Sequence, residues 1–185
     1  YAARQLGMTI SFDCNYRSML WSFDEARDII SRYLPYVDVL IGIEPLHLQD
    51  ENGHDLKDGM SMQPDYEEQD RIFQAMADRY HFQAIARHVR YTHSSSENSL
   101  KAYLYYNGQT YESKLFRFQI LDRVGGGDAF SSGLIYALMN NYKPRDVVNF
   151  AVASSVMKHS IHGDTNITDV ESIQRLMNQS FDVQR

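Results

Sequence analysis

The regular alternation of short apolar segments with helix start signals most constrains what this chain can fold into. Apolar segments at 8–13, 37–43, 82–86 and 118–122 predict strands, the first of them buried, and helix-forming stretches separate them. Strands that alternate with helices are typical of an α/β protein with a mostly parallel sheet flanked by helices. We therefore expect a single α/β domain over residues 1–185.

Helices are predicted from their start signals. Ser22 and Glu25 form a capping box that opens a helix running to about Tyr33. Pro64 predicts the start of a helix whose first turn is acidic, which suits the helix dipole. Three further helices are predicted, over 129–141, over 144–159, and from a second capping box at Thr168–Glu171.

The connections carry signals of their own. Asn107-Gly108 lies between two strand-like segments, 99–106 and 110–116, and predicts a tight hairpin. Polar composition predicts loops over 50–59 and 88–98.

The first residues resemble the end of an element rather than a beginning. Residues 1–6 are typical of the last turn of a helix, and Gly7 suits its C-terminal cap. No initiator Met and no helix cap precede them. We expect a fragment of a longer protein.

Charge and composition narrow the class of protein. With 18 Lys+Arg against 24 Asp+Glu the net charge is −6, so we expect no nucleic-acid partner, since that binding depends on neutralising phosphates. No apolar run is long enough for a membrane span. Cys14 is the one cysteine, and a chain without an internal disulfide suits a reducing compartment, which predicts a cytoplasmic location.

The most informative stretch is Asp122-Arg-Val-Gly125-Gly126-Gly127-Asp128, where three glycines connect a strand to a helix. Consecutive glycine amides at a helix start can bind an anion, and the Asp128 carboxylate beside it could accept a proton from an attacking hydroxyl. Phosphoryl transfer needs both elements. The alternative is a tight turn in which Asp128 only caps the helix. The stretch matches neither a Walker A loop nor a GxGxxG dinucleotide motif.

This stretch resembles the C-terminal signature of the ribokinase-like (PfkB) sugar kinases, usually Asp-Thr-x-Gly-Ala-Gly-Asp. The present chain has Arg123 in place of Thr and Gly126 in place of Ala. The resemblance implies that Asp128 is the catalytic base and that Gly125, Gly126 and Gly127 form the anion hole. It also implies that an N-terminal part with the small lid sheet is missing from this chain.

A second stretch, Asp13-Cys-Asn15-Tyr-Arg17, is similar to the Asp-x-Asn-x-Arg segment of 2-keto-3-deoxygluconate kinases. In those kinases the Arg meets the carboxylate of the sugar acid and the Asn lies near the phosphates. The resemblance therefore implies that Arg17 binds the substrate by a bidentate fork and that Asn15 approaches ATP. The alternative for Arg17 is an ordinary surface ion pair.

The resemblance implies weaker roles for four other residues. Asp164 would contact the substrate, and the residues implied near ATP are Ser96, Ser155 and Gly163. For these the alternatives are a plain turn, a polar surface loop and a serine on the helix surface. The family often shows Asn-x-x-Glu after the second strand to arrange magnesium, but here only Glu44 remains as a nearby carboxylate, so the magnesium ligands are unknown.

The resemblance implies a carbohydrate kinase that uses ATP and Mg²⁺ to phosphorylate a sugar acid, in first place 2-keto-3-deoxygluconate to its 6-phosphate. Homo-oligomers of the whole kinase would form through the lid region. Two alternatives stay open: an inactive nucleotide-binding fragment of such a kinase, and a kinase for a neutral sugar or nucleoside.

Overall fold

The computed structural model describes residues 1–178, and these divide into two compact units. Unit 1 comprises Tyr1–Val89 and Tyr103–Glu112, and unit 2 comprises Arg90–Ala102 and the residues from Ser113 onward. Among the described helices, none has the length and apolar character that crossing a membrane requires.

The elements alternate along the chain as the sequence indicates. Those up to the third strand are α1 Ala2–Gln5, β1 Ser11–Asp13, α2 Phe23–Ser31, a 3₁₀ turn Leu34–Tyr36, β2 Val39–Ile41, α3 Tyr66–Tyr80 and β3 Ala84–Thr92. The rest are β4 Glu97–Tyr106, β5 Gln109–Glu112, β6 Phe116–Gln119, α4 Gly126–Met139, α5 Pro144–Lys158 and α6 Val170–Asn178.

The strands form one six-stranded sheet in the order β1-β2-β3-β4-β5, with β6 also pairing with β4. The β1–β2 and β2–β3 pairs are parallel, whereas β5 and β6 both pair antiparallel with β4. The α/β class is therefore confirmed, and antiparallel pairing has a larger share than the sequence indicated. The parallel part brings the carboxyl ends of β1 and β2 to the same edge, where open α/β sheets bind ligands.

The first predicted strand was longer and more buried than the structure shows. Only residues 11–13 pair, and Met8 is 56% exposed. Polar residues at 88–98 were predicted as a loop, but β3 and β4 continue through most of them. Pairing explains the extension, since Glu97 at the start of β4 is opposite Gln119 of β6. That last strand also lies two residues earlier than the predicted 118–122.

The helix starts follow their caps in most places. The Ser22 hydroxyl accepts from the Glu25 amide, and Pro144 occupies the first turn of α5 as predicted. The second capping box was wrong in its first residue, because the Asp169 carboxylate, and not Thr168, accepts from the Ser172 amide at the start of α6.

Two turns confirm local predictions. Asn107 and Gly108 have φ of 53° and 79°, the left-handed pair that a two-residue hairpin needs between β4 and β5. Gly7 follows α1 at φ 69° and donates its amide to the Arg4 carbonyl, which is the behaviour of a helix-terminating glycine.

Each unit has an apolar core of its own. In unit 1, Ile72, Phe73 and Met76 of α3 are fully buried at the helical spacing seen in the sequence. In unit 2, α4 and α5 pack closely at Gly133, where a Cβ would lie 2.8 Å from Cβ of Ser154. The absence of a side chain at Gly133 thus sets the distance between these two helices.

We expect Asp65→Ala to lower the free energy of unfolding by about 1 kcal/mol, because the Asp65 carboxylate accepts from the Glu68 amide 2.8 Å away at the start of α3. Urea unfolding of both proteins measures the difference. Asp65→Asn is the matched control, since asparagine caps equally well. An equal loss in both variants would contradict the capping role.

Candidate functional site

The start of α4 lacks the side-chain cap found on other helices. Its N-cap is Gly125 at φ 78°, which has no side chain to accept a hydrogen bond. The first bond of the helix runs from the Ala129 amide to the Gly125 carbonyl, 2.9 Å. The amides of Gly126, Gly127 and Asp128 therefore have no acceptor within the described residues, and they are available to an anion.

Asp128 lies in the third position of α4, not at the N-cap. The alternative interpretation, that it merely caps the helix, is therefore wrong. Its side chain is exposed, and no described residue binds its carboxylate. A carboxylate and several unused amides thus share one helical turn.

The three glycines at 125–127, called the glycine loop below, are in close contact with residues 163–164. A Cβ on Gly125 would lie 2.2 Å from the Asp164 carbonyl oxygen, so only glycine fits there. The Asp122 carboxylate accepts from the amides of Val124 and Gly163 at 3.0 and 2.9 Å. These two bonds lower the pKa of Asp122. The predicted residues Gly163 and Asp164 therefore do adjoin the glycine loop of unit 2.

His159 fills the space that a side chain at position 126 would need. A Cβ on Gly126 would lie 2.5 Å from Cε1 of the His159 ring. Nδ1 of that ring lies 2.7 Å from the Ser155 carbonyl, which can only accept, so we assign the proton to Nδ1. Nε2 is then an acceptor, buried and without a partner in the described part of the chain. Burial is the main cause that lowers the pKa of His159.

Ser155 stabilises the glycine loop through a hydrogen bond. It is only 2% exposed, and its hydroxyl donates to the Gly126 carbonyl at 2.8 Å. The alternative of a serine on the helix surface is therefore wrong. The role near ATP that the resemblance implies stays a prediction, and in the structure the hydroxyl is already engaged by the loop.

Lys158 and His159 were not among the predicted site residues. A signal was present, because polar residues recur one turn apart in an otherwise apolar helix, as Ser154 with Lys158 and Ser155 with His159. Such a stripe in a buried helix needs polar partners. Here those partners are the glycine loop and the segment that follows α5.

Three cations of unit 2 act on His159, which packs against the start of α4, where Asp122 and Asp128 contribute negative charge as well. The charges of Arg90, Lys158 and Arg123 all contribute to lowering the pKa of His159. Arg123 is positioned by a hydrogen bond from Nη2 to the Ser95 carbonyl, 2.9 Å. These cations favour an anion at the loop, as does the positive end of the helix dipole.

Ser96 lies in the short connection between β3 and β4. Its side chain is exposed and lies 3.5 Å from the Ser94 hydroxyl, and its carbonyl accepts from the Ile120 amide. These contacts place Ser96 in unit 2 next to the end of β6. Its contact with ATP stays a prediction.

The second predicted group follows β1 in unit 1. The Cys14 amide donates to the Ile41 carbonyl, which prolongs the β1–β2 pairing. The Asn15 amide donates to the Asp13 carboxylate at 3.0 Å, and Asn15 has φ 35°. Burial raises the pKa of Cys14 to about 12, so its thiol stays protonated.

Arg17 is exposed shortly after Asn15. Its Nη1 donates to the neighbouring Tyr16 carbonyl at 3.3 Å. No described carboxylate lies within ion-pair distance, so the surface ion pair considered as an alternative is not present in this part of the chain. Its guanidinium remains accessible to an acidic ligand.

Glu44 follows β2 in the same unit. Burial raises the pKa of Glu44 to about 7, although the Lys57 ammonium lies 3.7 Å from Oε2. Within residues 1–178 no group of three or more His, Cys, Asp or Glu side chains is arranged to hold a metal ion. The structure therefore names no magnesium ligands.

A comparison with known families decides what kind of protein carries these features. The sequence profile of the pfkB family carbohydrate kinases matches residues 1–170. The chain belongs to the PfkB family of carbohydrate kinases.

Individual relatives share this PfkB character. A 2-dehydro-3-deoxygalactonokinase of Haloferax volcanii is 25% identical over 95% of this chain. The crystal structure of 2-dehydro-3-deoxygluconokinase from Thermotoga maritima is 30% identical over 96% of this chain, with a TM-score of 0.84. A PfkB family carbohydrate kinase from Listeria grayi is 29% identical over 96%, with a TM-score of 0.80. The chain spans about half the length of these relatives, between 49% and 52%.

The departure from the usual PfkB motif at position 126 generates a prediction. We expect Gly126→Ala to lower the free energy of unfolding by about 1–3 kcal/mol, because its methyl would overlap the His159 ring. Gly127→Ala is the control, since a Cβ there meets nothing within 4 Å. Urea unfolding measures both.

A double-mutant cycle identifies the cause. In a His159→Ala background the same Gly126→Ala change should cost less than about 0.5 kcal/mol, because the overlapping ring is gone. An undiminished cost in that background would contradict the contact.

Proposed function

We propose that the protein carrying this chain is an ATP-dependent kinase that phosphorylates a hydroxyl of a sugar acid, in first place 2-keto-3-deoxygluconate at its 6-position. The observation that carries the proposal is the start of α4, where a glycine N-cap leaves three amides unused beside the exposed carboxylate of Asp128. Anion binding and proton acceptance are the two tasks of phosphoryl transfer, and this turn supplies a group for each.

In the proposed reaction the substrate hydroxyl oxygen attacks the γ-phosphorus in line. The new O–P bond forms as the bond from the γ-phosphorus to the leaving ADP oxygen breaks, and Asp128 takes the hydroxyl proton. The amides of Gly126 and Gly127, unused in the structure, and that of Gly125 stabilise the charge on the phosphoryl oxygens, and the unused amide of Asp128 is a further donor. Asn15, Ser96, Ser155 and Gly163 are the further residues proposed near ATP.

Arg17 is proposed to bind the carboxylate of the sugar acid. Its guanidinium is exposed and pairs with no acid among the described residues, and a planar fork matches a carboxylate better than a neutral hydroxyl. The relatives' names support an acidic substrate, since they are kinases of 2-dehydro-3-deoxygalactonate and 2-dehydro-3-deoxygluconate. Asp164, at the edge of the anion loop, is proposed to contact a substrate hydroxyl.

Magnesium would neutralise charge on the phosphates of ATP. The ion usually keeps several waters and takes one or two carboxylates besides phosphate oxygens, so a site without a cluster of protein ligands suits it. Glu44 is the carboxylate that the resemblance leaves for this purpose.

The proposal is tested by assaying the purified chain for ADP release with MgATP and 2-keto-3-deoxygluconate, ribose or fructose, and by titrating ATP separately in a calorimeter. We expect turnover with 2-keto-3-deoxygluconate and none with ribose or fructose. Turnover with a neutral sugar instead would favour the neutral-sugar kinase, and saturable ATP binding without turnover would favour an inactive nucleotide-binding fragment. If the chain shows no ATP binding and no turnover, the proposal is overturned.

We expect Asp128→Asn to lower kcat by about 10²–10⁴-fold while leaving the Kd for ATP nearly unchanged, because only proton acceptance is lost. Asp146→Asn is the matched control, since Asp146 occupies the same third position in α5. Both variants lose a similar interaction with a helix dipole, so a similar fall in kcat would show a structural role for Asp128.

We expect Arg17→Lys to raise KM for the sugar acid roughly tenfold, because a point charge replaces a bidentate fork. KM for ATP should stay within about twofold. Steady-state kinetics with the acid measure both constants, and Arg71→Lys, on the exposed face of α3, is the control. An unchanged KM for the acid would exclude Arg17 from its recognition.

A further inference from the structure

Lys158, the last residue of α5, is completely buried. A buried ammonium is costly unless its donors are used. Its Nζ donates to the carbonyl oxygens of Ile161 and Gly163, at 3.0 and 2.6 Å. These acceptors are neutral, and no carboxylate lies within ion-pair distance of Nζ in the part of the chain that the structure describes. Asp122 is nevertheless close enough for its charge to interact with that of Lys158.

The stem of Lys158 lies against the anion loop. A Cβ on Gly125 would be 3.1 Å from Cε of Lys158, so the last carbon before the ammonium contacts the N-cap of α4. The ammonium nitrogen, one bond beyond Cε, therefore lies close to Gly125.

The same ammonium fixes the segment that packs on the loop. The Gly163 carbonyl accepts from Lys158, while the Gly163 amide donates to Asp122 at the other end of the glycine loop. Gly163 is therefore fixed at both its amide and its carbonyl. The Asp164 carbonyl that follows is the group lying closest to Gly125.

We propose that Lys158 is a positioning residue for phosphate binding, which fixes residues 161–164 against the glycine loop and supplies a positive charge next to Gly125. The proposal rests on the proposed function, because it assumes that the loop binds the phosphates of ATP. It adds a residue whose charge acts on the anion through the loop, without requiring contact with the nucleotide.

Lysine suits this place better than arginine or an apolar residue. An ammonium is a compact point charge with three donors, and it can converge on carbonyls within one short loop. A guanidinium is larger and planar, and the closeness of Gly125 leaves little space for it. Methionine would fill a similar volume without charge or donors.

The test compares Lys158→Met with the unchanged chain by calorimetric titration of MgATP and by urea unfolding. We expect the Kd for ATP to rise at least tenfold while the urea midpoint changes little, because the loss of two hydrogen bonds to carbonyls is offset by the removal of a buried charge that has no ion-pair partner. Lys114→Met is the matched control, since that lysine also donates to a backbone carbonyl, of Met177, but on the exposed surface of unit 2.

Amine rescue separates charge from packing. Lys158→Ala should bind ATP weakly, and added ethylammonium should recover at least a third of the lost affinity, whereas ethanol, similar in size but neutral, should not. Equal recovery with both additives would overturn the electrostatic role. An unchanged Kd in Lys158→Met would overturn the whole proposal.

Two readouts keep the proposal distinct from the proposed function. If the unchanged chain binds ATP and Lys158→Met binds it equally well, only the role of Lys158 fails. If the unchanged chain binds no ATP, both fail. Amide hydrogen exchange at Gly163 tests the positioning step alone, and we expect it to become at least tenfold faster in Lys158→Met; an unchanged rate would contradict that step.

Discussion

The candidate phosphate site depends on the absence of side chains at Gly125 and Gly126. A Cβ at either residue would overlap a neighbour, the Asp164 carbonyl in one case and the His159 ring in the other. Because both glycines leave that space, the end of α5 and the following segment can approach the first turn of α4. The packing, the hydrogen bonds of Asp122 and the burial of Lys158 all follow from this approach.

A glycine at the N-cap of α4 makes the first turn of that helix less stable but leaves its amides available. Ser22, Asp65 and Asp169 cap their helices, and such a cap is worth about 1 kcal/mol. Gly125 gives this up at the start of α4 and leaves amide donors for a ligand. The longer helix α5 also lacks a side-chain cap, but it begins with Pro144, which has no amide hydrogen to satisfy. Local rules of folding are most often broken at functional sites, so the free amides at the start of α4 support a ligand at that place.

Local sequence signals predicted the features that depend on a few adjacent residues. The Ser22 cap and the Asn107-Gly108 turn were predicted correctly, because each is determined within about four residues. The glycine connection before Asp128 was predicted in the right order, but α4 begins at Gly126 and not at Ala129. The extent of strands was predicted less well. Met8 is exposed although it is apolar, since β1 pairs only over residues 11–13.

The supporting residues of the site could not be predicted, because their partners are distant in sequence. Ser155 donates to a carbonyl 29 residues away, and the His159 ring is fixed by the space that Gly126 leaves. Sequence resemblance identified Gly126 as a departure from the usual Ala without showing its cause. The structure supplies a cause, since a methyl there would meet His159.

The division of labour between the two units has a chemical logic. Unit 2 carries the unused amides, the surrounding cations and Asp128, which suit any phosphoryl acceptor with a hydroxyl. Unit 1 carries Arg17, whose exposed guanidinium is the group we propose to distinguish an acid from a neutral sugar. Substrate choice can therefore change through residues near Arg17 while the phosphate loop stays the same. A side chain at Gly125 or Gly126 would overlap a neighbour, whereas the exposed Arg17 side chain can be exchanged without disturbing the packing. On the proposed function, a change of substrate would therefore come through unit 1.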